Sequence, residues 1–175
     1  DDFLAFLELP DAADVDAARQ VDGLLNRWYL DPLFRATYPA DVVADRVRRG
    51  HLAGGELPFV RPGDMATIAG PLDFLGVNYY QRRVVAGTAD GGWRTVHQDD
   101  SQHTDMGWEV SPDGLRDLLV RLHDDYAPPP IVITENGAAR GFRGSAFDTA
   151  ATTARHHLRL AVNRAVFLQI HLDRD

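Results

Sequence analysis

The stretch IVITENG, residues 131–137, decides how the fold is interpreted. Its β-branched residues favour a short buried strand, and the strand ends on an acid, Glu135. Gly137 then permits a sharp turn that would hold the carboxylate at the edge of a sheet. Spacing alone favours a simpler role for Glu135, as a strand-end acid that caps the next element. A catalytic role therefore has to be argued from the other residues of the chain.

Apolar strands alternate with amphipathic helices on both sides of this stretch. The pattern predicts strands at residues 3–9, 72–80 and 131–134, and a loop at 50–71. Residues 81–107 are predicted to form a strand extension and a long loop. The pattern also predicts four helices. The first is capped by Asp14 and ends at a break at Asp31-Pro32, and its inward face consists of Val15, Ala18, Val21, Leu24, Leu25 and Trp28. The second begins near Pro39 with Gly50 past its end, the third is capped by Ser111, and the fourth covers residues 149–167.

Strands that are apolar on both faces and separated by helices are typical of a parallel sheet. The sequence therefore predicts an α/β fold, with residues 1–175 forming one domain. In such folds the functional groups follow the carboxyl ends of the strands. Two strand ends are polar here, Asn78-Tyr79-Tyr80 and Glu135-Asn136-Gly137.

Composition excludes several classes of function. The net charge of -8 makes nucleic acid and anionic membrane surfaces poor partners. No apolar run is long enough to span a bilayer, and the absence of cysteine excludes disulfides and thiolate chemistry. The seven histidines show no ligand spacing, so no metal or other cofactor is expected. A cytoplasmic location fits these features.

A carboxylate beside a phenol suits glycoside chemistry. A nucleophilic Glu must stay ionised, and a hydrogen bond from a tyrosine hydroxyl stabilises that form. Aromatic rings also offer a sugar an apolar face, and Trp108 is a candidate for that role. Packing in the core or under a loop is an equally good interpretation of Trp108.

Four segments, in order along the chain, resemble glycoside hydrolase family one. They are NRWYLDPLF (26–34), PLDFLGVNYY (71–80), TDMGWEVSPDGL (104–115) and ITENGAA (133–139). The resemblance covers about residues 15–139, and its nearest likeness is to bacterial β-glucosidases. It implies a partial (β/α)8 TIM barrel, consisting of about strands five to seven with their helices, and a β-glucoside or oligosaccharide as the small-molecule partner.

The resemblance also implies a role for each site residue. Glu135 would be the nucleophile, and Tyr80 would donate a hydrogen bond to it. Asn78 would line the sugar site, and Trp108 would line the aglycone side. Retention of configuration requires a second carboxyl group about 5–5.5 Å from the first, as acid and then base.

That second carboxyl group has no counterpart here. The family carries it in an Asn-Glu-Pro motif, which the chain lacks, and residues 140–175 diverge from the family pattern. We therefore expect a fragment with little or no activity alone, in which residues 167–175 could supply a substitute eighth strand. Its open sheet edges would invite pairing with a missing N-terminal half or with another copy.

Other functions stay open at this point. The chain could be a non-catalytic remnant that binds a sugar or a protein, or one half of an enzyme split over two chains. Within the enzyme class, a phospho-β-glycosidase is also possible.

Overall fold

The computed structural model describes residues 11–137 and the backbone of a strand at 165–168. The strand predicted at residues 3–9 and most of the helix predicted at 149–167 lie outside these residues. Five helices are described: α1 (Ala12–Asp22), α2 (Trp28–Arg35), α3 (Ala40–Arg48), α4 (Asp64–Ile68) and α5 (Pro112–Tyr126). A π-helical turn, Gly23–Arg27, joins α1 to α2.

Five strands form two sheets in the described part of the chain. They are β1 (Phe74–Tyr79), β2 (Val85–Gly87), β3 (Trp93–Thr95), β4 (Ile131–Asn136) and β5 (Ala165–Leu168). The first sheet is parallel with the order β4-β1-β5, and the second is the antiparallel β2–β3 hairpin. The predicted parallel α/β sheet is confirmed.

The core lies between the central strand and the helices. Leu75 and Val77 of β1 contact Leu30 of α2 and Leu122 of α5, and all four are buried. Leu122 is the fully buried member of the predicted α5 stripe, while Leu115, Leu118 and Leu119 are half-buried. One face of β1 thus packs against both α2 and α5.

The cap of α5 follows the sequence prediction. Ser111 is the N-cap and its hydroxyl accepts from the backbone N–H of Gly114. α3 also follows it, with Pro39 before the first turn and Gly50, at φ 74°, after the end. These ends are set by local capping, so they can be read from the sequence.

The first helix differs from its prediction. It begins at Ala12, because the Asp11 carboxylate caps it, and Asp14 instead accepts from the backbone N–H of Gly87 on β2. Val15 is 55% exposed, whereas Gln20 is buried. The buried face of α1 therefore differs from the predicted one, because α1 packs on the β2–β3 hairpin. The sequence pattern did not predict this contact.

The helical run also continues through the predicted break at Asp31-Pro32. Pro32 lies inside α2 and is buried. Its ring costs one backbone hydrogen bond, and packing against the core outweighs that loss. The predicted loop at residues 50–71 contains α4. Residues 81–107, predicted as a strand extension and a long loop, contain the separate β2–β3 hairpin.

β5 corrects one further prediction. Residues 165–168 form a strand, so a helix does not extend to residue 167. β5 pairs with β1 on the side away from β4. Most of the substitute strand predicted at residues 167–175 lies outside the described residues.

An ion-pair network joins α1 and α3. Asp41 of α3 accepts from Arg19 and Arg27, each at 2.7 Å. Hydrogen bonds from Arg27 hold the pKa of Asp41 well below its usual value; burial opposes this shift, and Arg19 reinforces it. Asp22 joins the network to α5 through Arg121. No helix among the described residues is long and apolar enough to cross a membrane.

Candidate active site

A β-bulge at the end of β4 sets the geometry of the site. Val77 pairs with Ile133, but the next residue of β1, Asn78, pairs with Glu135. Thr134 is therefore the extra residue on β4. Residues paired across parallel strands present their side chains on the same face, so the bulge brings Glu135 onto the face of Asn78. In regular register, Glu135 would have stood opposite Tyr79 on the helix side.

Tyr80 contacts Glu135 directly. Its hydroxyl donates a 2.6 Å hydrogen bond to Oε2 of the carboxylate. The hydrogen bond to Glu135 raises the pKa of Tyr80, because removing the phenol proton would place a second anion beside the first. The phenol therefore stays a donor at neutral pH. Glu135 is exposed and Tyr80 half-buried, so this pair is open to solvent among the described residues.

Asn78 is the buried polar residue of the site. It is 4% exposed, and its Oδ1 accepts a 2.5 Å hydrogen bond from the hydroxyl of Thr134. Asn136 reaches back across the strands and donates to the carbonyl oxygen of Tyr79 at 2.8 Å. These two bonds fasten the bulged end of β4 to β1 on either side of Glu135.

Tyr79 faces the helices instead of the site. It is buried, and its hydroxyl donates to the carbonyl oxygen of Ser111 at the start of α5. Burial raises the pKa of Tyr79. Gly114 makes room for this hydroxyl, since a Cβ there would collide with it. Of the two adjacent tyrosines, Tyr79 therefore contacts the start of α5 and Tyr80 contacts Glu135.

Trp108 lies on the loop before α5 and reaches the site through Tyr80. The two ring centroids are 5.4 Å apart and the planes are tilted by 57°. The loop is closed by Thr104, whose hydroxyl accepts from the backbone N–H of Trp108 and whose own N–H donates to the Trp108 carbonyl. The indole is half-buried, so part of it stays available to a ligand.

Three residues near the site were not singled out from the sequence. Thr134 bonds Asn78, and Arg82 forms a bidentate ion pair with the buried Glu109. Glu109 carried no signal of its own, because the loop around it also holds the polar residues Gln102, Thr104 and Asp105. The contact of Thr134 with Asn78 depends on how β1 and β4 pair, so the sequence of β4 alone does not predict it.

The four predicted residues thus form one continuous group. Glu135 and Asn78 share a face at the strand ends, Tyr80 bonds Glu135, and Trp108 packs on Tyr80. An ionised carboxylate with a phenol donor and a flanking indole can attack an electrophilic carbon of a ring-shaped ligand. Residues 11–137 hold no group of three or more His, Asp or Glu side chains that could bind a metal ion.

A family model decides the relationship of this chain to known proteins. The model of glycosyl hydrolase family 1 matches residues 8–165. The chain belongs to glycosyl hydrolase family 1. The match is longer than the resemblance carried by the individual motifs, which covers about residues 15–139.

Curated relatives within family 1 include several β-glucosidases. β-Glucosidase A of Enterobacter agglomerans is 36% identical over 182 residues, covering 97% of this chain and 34% of the relative. A bifunctional β-D-glucosidase/β-D-fucosidase of Bifidobacterium breve is 36% identical over 143 residues, covering 72% of this chain and 29% of the relative. The chain spans about a third of the length of these relatives.

Solved structures of family 1 enzymes share the fold. The β-glucosidase of Exiguobacterium marinum gives a TM-score of 0.71 at 33% identity, covering 85% of this chain and 35% of that one. The family 1 β-glucosidase of Exiguobacterium antarcticum B7 gives a TM-score of 0.69 at 36% identity, covering 79% and 30%. The described sheet is therefore part of a (β/α)8 barrel, with β1 and β4 as neighbouring barrel strands, and it is not a closed barrel.

Proposed function

We propose that this chain carries the nucleophile of a retaining β-glucosidase, and that Glu135 is that nucleophile. The observation that carries the proposal is the hydrogen bond from Tyr80 to Glu135, made at the carboxyl ends of neighbouring barrel strands. Relatives named as β-glucosidases support a β-glucoside or short oligosaccharide as the substrate.

The proposed reaction begins with attack on the anomeric carbon. Tyr80 holds Oε2 of Glu135, so attack is assigned to Oε1. A bond forms between Oε1 and the anomeric carbon, and the bond from that carbon to the leaving-group oxygen breaks. The family resemblance assigns Asn78 to the sugar and Trp108 to the aglycone side.

Both half-reactions require a second carboxyl group, as acid and then as base, which this sequence does not supply. No Asn-Glu-Pro motif occurs among its residues. Without a general acid, an ordinary alkoxide or phenolate leaves slowly, and without a general base, water attacks the intermediate slowly. We therefore expect little or no turnover of an unactivated aryl β-glucoside by the chain alone.

An activated substrate tests the first half-reaction. With 2,4-dinitrophenyl β-D-glucoside, the leaving group departs as a stable anion and needs no acid. We expect a burst of dinitrophenolate followed by slow turnover. Azide should accelerate the slow phase, because it attacks the anomeric carbon without a base, breaks the bond to Glu135 and releases β-glucosyl azide.

Matched variants decide whether Glu135 is responsible. Glu135→Gln should abolish the burst, while Glu56→Gln, in the exposed loop before α4, should leave it unchanged. A burst of equal size in Glu135→Gln would overturn the proposal.

A second candidate is one half of a split enzyme. The outer edge of β4 has no partner strand among the described residues, and an unpaired edge is a ready template for another strand. Adding a polypeptide with the Asn-Glu-Pro segment should then restore turnover of the unactivated glucoside. Self-association through the same edge is the competing outcome, and size-exclusion chromatography distinguishes the two. The cytoplasmic location stays a prediction.

A further inference from the structure

The loop that carries Trp108 is held to the residues after β1 by an ion pair between the buried Glu109 and the partly exposed Arg82. Glu109 is 6% exposed, and its carboxylate accepts from Nε and Nη2 of Arg82, both at 2.8 Å. Ser101 donates a third hydrogen bond, also 2.8 Å. Hydrogen bonds from Arg82 lower the pKa of Glu109; burial opposes this shift, and Ser101 adds to it. The carboxylate is therefore charged and fully engaged at neutral pH.

The two residues of this ion pair are close in sequence to the two aromatic residues of the site. Glu109 follows Trp108, and Arg82 comes two residues after Tyr80. The Glu109 backbone N–H also donates to the side-chain oxygen of Gln81. One bidentate contact thus fixes the two backbone segments whose side chains meet at 5.4 Å.

We propose that Glu109 is a positioning residue that holds Trp108 against Tyr80 through its ion pair with Arg82. It does not reach the reacting atoms itself. The planar fork of Arg82 sets both the distance and the angle between the two segments, which an apolar contact would not do. The assignment of Trp108 to a ligand rests on the proposed function, but the positioning itself does not.

Fluorine NMR of the full chain labelled with 5-fluorotryptophan tests the positioning without requiring activity. The chain has three tryptophans, Trp28, Trp93 and Trp108, and therefore three resonances. Tyr80→Leu removes the neighbouring ring and marks where the Trp108 resonance lies without it. In Glu109→Gln, the Trp108 resonance should move toward that position while the other two stay in place.

Further variants separate positioning from general stability. Arg82→Gln should move the same resonance, and the double variant should move it no further than either single change, because both break one interaction. Ser101→Ala, which leaves the ion pair in place, should give a smaller shift in the same direction. Asp117→Asn, in an exposed ion pair of α5, is the control and should shift nothing.

Two results would overturn the proposal. One is an unmoved Trp108 resonance in a folded Glu109→Gln chain. The other is collapse of all three resonances in Glu109→Gln together with no shift in Ser101→Ala, which would make the pair purely structural.

The link to function has its own measurement. In the dinitrophenyl glucoside burst, Glu109→Gln should weaken apparent binding about threefold to tenfold, the value of one aromatic contact, with the saturating burst rate little changed. Absence of a burst in the unaltered chain would reject the proposed function and leave the NMR result to decide the positioning. A burst with unchanged binding in Glu109→Gln would reject the link alone.

Discussion

Asn78 of β1 stands opposite Glu135 of β4, and not opposite Thr134, because β4 holds one extra residue in a bulge. This one-residue shift moves the carboxylate from the helix side of the sheet to the side of Asn78. Tyr80, two residues after Asn78, then meets Glu135 at 2.6 Å. The chemistry proposed for the chain depends on this shift.

Removing the phenol should slow the proposed first half-reaction. In Tyr80→Phe, Glu135 loses its donor, and a hydrogen bond to a charged group is worth about 1.5–3 kcal/mol. We expect the dinitrophenolate burst to slow by about tenfold to a hundredfold. Tyr29→Phe, at a tyrosine that is 52% exposed, is the control and should leave the burst unchanged. An unchanged burst in Tyr80→Phe would remove Tyr80 from the site.

The same pair should be visible in a tyrosine titration. Glu135 raises the pKa of Tyr80, so Tyr80 keeps its proton to higher pH than an isolated phenol. Subtracting the ultraviolet titration of Tyr80→Phe from that of the unaltered chain isolates this group. Glu135→Gln should bring the isolated pKa back down, because the second anion is gone. A titration that does not respond to Glu135→Gln would show that the two side chains do not meet.

Stability should fall in acid. The folded-state pKa of Asp41 lies below its usual value, chiefly through Arg27, so the folded chain binds fewer protons than the unfolded chain. The stabilisation is present at neutral pH and is lost as the pH falls below about 4. Asp41→Asn should cost about 1–2 kcal/mol in urea unfolding at pH 7 and flatten the acid dependence, since Asp41 is partly screened by solvent.

Asp117→Asn provides the comparison for that experiment. Asp117 is also paired with an arginine, but its side chain is 65% exposed. We expect the free energy of unfolding to change by no more than about 0.5 kcal/mol. Equal effects from the two variants would show that the network between α1 and α3 contributes no more than a surface pair.

Truncating the core should be far more costly than truncating the exposed side of the same helix. Leu122→Ala leaves a cavity against Leu75 and Val77, and we expect a loss of about 2–5 kcal/mol. Val120→Ala, at a residue that is 52% exposed, should change stability by about 0.5 kcal/mol or less. Similar losses at both positions would contradict the packing of α5 on β1.

The close approach of α5 to β1 can be tested at a glycine. In Gly114→Ala the new methyl group collides with the hydroxyl of Tyr79, so the chain should be destabilised by about 1–3 kcal/mol. Tyr79→Phe removes that hydroxyl, so the double variant should lose less than the sum of the single losses. Gly54→Ala has open space around the new atom and should be nearly neutral. Strict additivity would mean that the two residues do not touch.

Much of the frame could be predicted because local and global signals agree. The β-branched run before Glu135 forms β4, and Ser111 with Pro112 starts α5, since each signal acts within a few residues. α1 shows the opposite case. Gln20 is buried because its amide bonds Asp16 and the carbonyl of Gly91, a residue far along the chain. Hydrophobic periodicity contains no information about such a partner.

The candidate site shows the same division. Residue type and motif order pointed to Glu135, Tyr80, Asn78 and Trp108, all of which come together. The bulge at Thr134 could not be predicted, because it arises from the pairing of two strands separated by α5. Glu109 was passed over for a similar reason, since its partner Arg82 follows a different strand.

Mass spectrometry of a trapped intermediate tests the central claim most directly. The chain would be incubated with 2,4-dinitrophenyl 2-deoxy-2-fluoro-β-D-glucoside, whose fluorine slows release of the sugar from the enzyme. Peptide mapping should place one fluoroglucosyl group on Glu135, and Glu135→Gln should remain unlabelled. A label on any other residue, or equal labelling of Glu135→Gln, would contradict the account.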